Sequence, residues 1–235
     1  MKSTSYGIKG TGSSRFVIVA PHAAGDDLRT KELALNISKH LDAFTVINEE
    51  YVKNTNSNSR KKPDKVEDFN KLEYSVEKSK YVWENKHPHM KEFYEHIEES
   101  CKNARRFGDG KSITIFIHGM KDNEECIGID IGFGAKYRKG ELVKCDKCMG
   151  KPRAKAEDVV GIKETLGKNL SDYYGLKASI GEFYAAWSIE NGVQYYNNFP
   201  GKSLQLEISY SLRKPGNIEH TSELIAEAMR KHFCV

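Results

Sequence analysis

Two short stretches of this chain are apolar or β-branched at almost every position: Phe16–Ala20 (FVIVA) and Ser112–Ile117 (SITIFI). A strand with one face in water alternates polar and apolar side chains. An uninterrupted apolar strand is instead buried on both faces, as in a sheet covered by helices. The surrounding pattern agrees. After Phe16–Ala20 come a helical periodicity over Thr30–Leu41, with Thr30 as its N-cap, and a second strand over Phe44–Val52. Strand, helix, strand in this order predicts a layered α/β fold. A length of 235 residues suits one such domain of about 200–250 residues. We expect that domain over residues 16–235, after a flexible, polar lead-in over residues 1–15.

Further along, the spacing predicts amphipathic helices over 88–106 and 156–173 and a C-terminal helix over Thr221–Phe233, capped by Thr221 or Ser222. It predicts strands over Ile127–Phe133, Phe183–Trp187 and Ser203–Ser209. The polar segment 53–65 reads as a long loop, of the kind that often carries function.

Charge and cysteine usage narrow the function classes. A formal net charge of +4 is too small for the basic footprint of a nucleic-acid binder, although residues 136–155 are locally rich in Lys and Arg. Five cysteines, an odd number, do not form a secreted disulfide framework. With no leader and no apolar run near the ~20 residues of a membrane span, the expectation is a cytoplasmic protein. Cys145-Asp-Lys-Cys148 reads as a loop feature without metal, with zinc or redox use as the alternatives. His87 and His89 read as a helix lead-in, and Tyr195-Tyr196 as packed aromatics or a groove lining.

The chemistry-bearing residues share one placement. FVIVAP runs into His22, SITIFI runs into His118, and the strand Leu204–Ser209 carries Glu207. In open α/β sheets ligands bind beyond the carboxyl ends of the strands. If the strands from Phe16 and Ser112 are parallel neighbours, both histidines reach one rim. Two imidazoles and a carboxylate there are a ligand set for a first-row metal, most simply zinc. A histidine after a strand is also commonly a loop residue with an ordinary hydrogen bond, and Glu207 alternates as an exposed strand residue would.

The segment Pro21-His-Ala-Ala-Gly-Asp-Asp-Leu-Arg-Thr-Lys-Glu-Leu-Ala34 resembles the first motif of phage-type poly-γ-glutamate hydrolases, Pro-His-Gly-Gly-Gly-Ile-Glu followed by a turn and Thr-Ser-Glu-Leu/Ile-Ala. Val66-Glu-Asp-Phe-Asn-Lys71 is similar to the Asp-Leu-Asn-Arg signature of N-formylglutamate amidohydrolases, where an arginine, here Arg60, precedes it. Leu204-Gln-Leu-Glu-Ile-Ser209 is similar to the Gln-Leu-Glu-Leu/Ile-Ser strand of both groups. The resemblance implies a zinc-carboxypeptidase-like fold: three layers, with a mostly parallel twisted sheet and helices on both faces. It implies one zinc on His22, His118 and an acidic residue, Asp27 where the family has glutamate, with Asp26 as its rival. Glu207 is the candidate general base, and the candidate partners of a substrate carboxylate are Arg60, Lys71 and, just after the Glu207 strand, Arg213. Lys71 stands where the amidohydrolases have arginine, which keeps the charge but loses the bidentate fork. The activity implied is hydrolysis of amide bonds in carboxylate-bearing substrates such as γ-glutamyl or N-acyl amino acid compounds, with a small molecule or γ-glutamyl peptide as the partner. A catalytically inactive anion- or nucleic-acid-binding module, and a phosphatase or esterase on the same site, are the other readings.

Overall fold

The apolar stretches become adjacent central strands. The computed structural model describes residues 1–53, 63–139, 141–143, 145–195 and 201–233. In chain order the elements are β1 (Lys2–Ser3), β2 (Gly7–Gly10), β3 (Phe16–Ala20), α1 (Thr30–Leu41), β4 (Phe44–Asn48), β5 (Glu73–Ser75), β6 (Lys80–Val82), α2 (Pro88–Ala104), β7 (Ser112–Met120), β8 (Ile127–Gly132), β9 (Lys136–Arg138), β10 (Glu141–Val143), α3 (Ala156–Tyr174), β11 (Lys177–Ile180), β12 (Gly201–Ser209) and α4 (Ile218–Phe233). Eight strands form one sheet in the order β1-β2-β4-β3-β7-β12-β8-β11. The four central strands β4, β3, β7 and β12 are parallel. β12 and β8 are antiparallel, as are β2 and β4, and β1 and β2. The sheet is therefore mixed around a parallel centre.

Both faces are covered, which is why the central strands are apolar throughout. On one face Ile18, Ile115, Leu206 and Ile131 pack against α1, α3 and α4 through Leu33, Leu166 and Ile225. On the other face Val17, Val19, Val46 and Phe116 pack against α2 through Phe93, Tyr94 and Ile97. Successive residues of one strand thus feed two different cores.

Several expectations change. Residues 1–15 are not a loose lead-in: β1 and β2 extend the sheet, and Tyr6 is fully buried. The strand expected to reach Val52 ends at Asn48, where the Asn48 side chain turns the backbone by accepting from the Glu50 and Tyr51 amides. Thr30 is not the N-cap of α1. That position is Arg29, and Thr30 Oγ1 donates to the Asp27 carbonyl instead. Thr221 and Ser222 lie inside α4, which starts at Ile218. Residues 183–187 are irregular rather than a strand, because the Phe183 and Tyr184 amides donate to the Asp130 side chain. The edge strand beside β8 is β11, whose lysine and serine hid it from the hydrophobic pattern. Cys145 and Cys148 form a disulfide. Among the described residues, no helix is long and apolar enough to cross a membrane.

Candidate metal centre

The parallel pairing of β3 and β7 puts His22, two residues past β3, beside His118, near the carboxyl end of β7. Register then recruits the third strand. Glu207 of β12 pairs with His118, and Asp130 of β8 pairs with Glu207. Directly paired residues share a face of the sheet, so three strands carry polar side chains to one rim. His22 is set by the turn before it: Asn48, fully buried, donates to the Pro21 carbonyl at 2.7 Å. Asp27 closes the loop from β3 to α1. Its Oδ2 accepts from the Gly119 amide at 3.1 Å.

Three potential ligand atoms converge there. His22 Nδ1 lies 3.2 Å from Asp27 Oδ2, His118 Nδ1 lies 3.2 Å from His22 Nδ1, and His118 Nδ1 lies 3.4 Å from Asp27 Oδ2. Around a four-coordinate zinc with bonds of about 2.0–2.1 Å, neighbouring ligand atoms stand about 3.3 Å apart. The triangle therefore has the edges of one face of a zinc tetrahedron. All three residues are buried.

The remaining polar contacts select the right nitrogen. His22 Nε2 lies 2.8 Å from Asp68 Oδ1, so it carries the proton and leaves Nδ1 as the electron-pair donor. Asp68 is itself held by the Asn70 amide at 2.9 Å. His118 Nε2 is buried and meets no partner among the described residues, so the ring's polar contacts are all at Nδ1. In the metal-free chain, burial pulls the His22 imidazolium down, but hydrogen bonds to Asp27 and Asp68 outweigh it and raise the pKa to about 9. Burial would raise Asp27, but the two histidines hold it well below the ordinary carboxylate range.

Glu207 lines the same cleft, of about 380 Å³. Burial raises its carboxyl above the usual range, partly offset by His118 and His22. Gln205 Nε2 donates to Glu207 Oε1 at 3.3 Å and to the Tyr184 carbonyl at 3.2 Å.

The expected carboxylate partners fare differently. Arg60 lies outside the described residues. Lys71 is exposed and is not part of the cleft wall; its amide donates to the Asp68 carbonyl at 3.0 Å. Arg213 is 4% exposed, and its guanidinium is taken up by the carbonyls of Ile208, Leu28 and Met120, so it braces the backbone. Asp26 is outside the triangle and accepts from the Lys53 amide at 2.6 Å. The residues not singled out from sequence are Asp68, Gln205 and Lys53. Lys53 Nζ stands 3.5 Å from Asp27 Oδ1 and reaches the cleft. Asp68 was inside the quoted signature, so its place was legible while its bond to His22 was not.

The fold is the zinc-carboxypeptidase-like α/β fold, and solved structures that share it include an N-formylglutamate amidohydrolase, one of the groups whose motifs the sequence resembles. An N-formylglutamate amidohydrolase from Ralstonia eutropha aligns over 94% of this chain and 93% of that one, with 11% identity and a TM-score of 0.51. A zinc-free apo form of YNDL aligns over 96% and 89%, with 15% identity and a TM-score of 0.51. A bacteriophage poly-gamma-glutamate hydrolase aligns over 96% and 87%, with 14% identity and a TM-score of 0.48. No protein-family model matches the sequence, and no curated protein matches it.

Proposed function

We propose that the chain is a zinc-dependent hydrolase of amide bonds in carboxylate-bearing substrates, N-acyl amino acids or γ-glutamyl compounds, with one ion held by His22 Nδ1, Asp27 Oδ2 and His118 Nδ1. The observation that carries it is the triangle of those three atoms, with edges of 3.2, 3.2 and 3.4 Å. The fold shared with an amidohydrolase supports the same reaction class. Bound at such a site, zinc supplies Lewis acidity and brings the pKa of water down to about 7.

The chain's own residues supply the rest. Glu207 takes a proton from the attacking water and returns it to the leaving amine. Its raised pKa suits both halves of that exchange, since a general base works best with a pKa near the operating pH. Gln205 holds the carboxylate of Glu207 in the cleft. Asp68 orients the His22 ring. Lys53 is the cation placed for a substrate carboxylate, in the role expected of Lys71. Burial opposes its charge, but Asp27, Asp26 and Asp68 raise its pKa and keep it protonated.

Metal analysis of the purified protein by mass spectrometry, beside a hydrolysis assay on N-acyl amino acids, tests the reading. We expect about one zinc per chain, lost in His22→Ala and His118→Ala. Glu207→Gln should keep its zinc and lose about 10²–10⁴-fold in kcat. Full turnover in folded His118→Ala or in Glu207→Gln would sink the proposal.

A further inference from the structure

A second cleft, of about 520 Å³, opens directly beside the metal centre. The two clefts share Asp27, Lys53, Gly119, Phe183 and Tyr184, so one ligand can occupy both. Beside the shared aromatics, each cleft adds its own side chains. The metal-side cleft adds Asp68, Asn70, Gln205 and Glu207, with Trp187. The second adds Leu28 and Tyr210, with Asp26, Lys121 and Asp122, so its exposed apolar groups are Leu28, Phe183, Tyr184 and Tyr210. These four residues are 51%, 42%, 48% and 38% exposed, although large apolar groups are ordinarily withdrawn from water. A concentration of them around one concavity next to a reactive centre marks a binding surface.

The backbone that displays them is pinned from beneath. On one side the fully buried Asp130 carboxylate accepts from Ser179 Oγ at 2.7 Å and from the amides of Glu182, Phe183 and Tyr184 at 3.0, 2.8 and 2.9 Å. Gly132 lets this loop settle, since a Cβ there would stand 2.2 Å from the Tyr184 carbonyl oxygen. On the other side the Arg213 guanidinium holds the carbonyls of Leu28 and Met120. It packs on Gly119, where a Cβ would come within 2.6 Å of Cζ. The Arg213 guanidinium also lies 5.8 Å from the Tyr210 ring centroid. Two buried charges thus hold the apolar walls in place before any ligand arrives, which lowers the ordering cost of binding.

From this we infer that the second cleft is a specificity subsite for an apolar or aromatic group carried on one side of the scissile amide, the carboxylate-bearing portion of the same substrate lying in the metal-side cleft. The inference rests on the metal-hydrolase reading above and names its substrate class: asymmetric amides, polar and anionic at one end and hydrophobic at the other. Leu28 and Tyr210 are the specificity-determining side chains. Asp130 and Arg213 act through the backbone as positioning residues.

Hydroxamic acids that anchor on zinc read the subsite without turnover. Calorimetric titration of the zinc-loaded protein should show phenylpropionohydroxamic acid binding roughly tenfold or more tightly than acetohydroxamic acid. The double variant Leu28→Ser, Tyr210→Ser, checked for folding by its zinc content, should lose that advantage. Equal affinity for the two acids in the wild type, or an advantage that survives in the double variant, overturns the subsite. Failure of either acid to bind, with no zinc taken up, brings down the metal reading and the subsite with it. Zinc uptake and acetohydroxamate binding without an aryl preference leave the metal reading standing and refute the subsite alone.

Discussion

At the scale of single residues, the centre depends on which nitrogen of each histidine faces inward. His22 has its Nε2 proton committed to Asp68 at 2.8 Å, and this turns Nδ1 toward Asp27 and His118. Replacing a carboxylate partner of a ligating histidine typically costs about 10–100-fold in metal affinity. Asp68→Asn should therefore weaken zinc binding by about that factor while leaving the fold intact. Competition with a zinc-chelating dye measures it, and an unchanged affinity would mean that His22 is oriented by something else. The residue does not touch the triangle, so the loss isolates orientation from ligation.

Among the elements, the parallel run β4-β3-β7-β12 sets the rim, and the antiparallel partner β8 supplies the anchor for its wall. Asp130 is fully buried and holds four donors on one carboxylate. Asp130→Asn replaces an acceptor-only group with one that must turn an amine toward N–H donors. The expected loss is about 2–4 kcal/mol of stability, since hydrogen bonds to a buried charge are each worth about 1.5–3 kcal/mol and unmet donors cost a similar amount. Urea denaturation reads it as a lower midpoint at unchanged slope. A change below about 1 kcal/mol would show that the 182–184 loop is held by other contacts.

For the whole molecule, the proposed zinc and the proton would compete for the same atoms. In the metal-free chain His22 has a folded pKa of about 9, above the unfolded value of about 6.5. Its stabilising contribution is fully present below the unfolded value and is lost as pH rises through about 9. Asp27 is lowered, so its contribution is present above the unfolded carboxylate value and is lost as pH falls through its folded one. The metal-free protein should thus lose stability on the alkaline side just where zinc no longer has a proton to displace from His22. The difference in Tm between zinc-loaded and chelator-treated protein should widen from pH 6.5 to about 9. A difference that stays flat or narrows over this range would mean that zinc does not take the His22 proton's place.

Burial on both faces is written into local composition. Phe16–Ala20 and Ser112–Ile117 could be read as central strands, and residues 30–41, 88–106, 156–173 and 221–233 as helices, because each lies in one stretch of chain with its own period. His22, His118 and Glu207 were legible for the same reason, each riding at or just past the end of such a strand. Other features come from pairings between residues far apart in sequence. Whether β3 and β7 are neighbours decides whether two histidines 96 positions apart meet at 3.2 Å. Loop geometry decides between Asp26 and Asp27, since the two are chemically identical and adjacent. Burial decides what a cation does: Arg213 is spent on carbonyls, Lys71 faces solvent, and Lys53 reaches the cleft. The lead-in 1–15 and edge strand β11 escaped detection because polar edge strands lack the apolar signal and are held by backbone bonds to neighbours. Sequence by itself determined which residue types would stand at the rim, through local hydrophobic patterning. Only tertiary structure decided which of their atoms face one another, because distance, burial and the competition for hydrogen-bond partners arise when the strands pair.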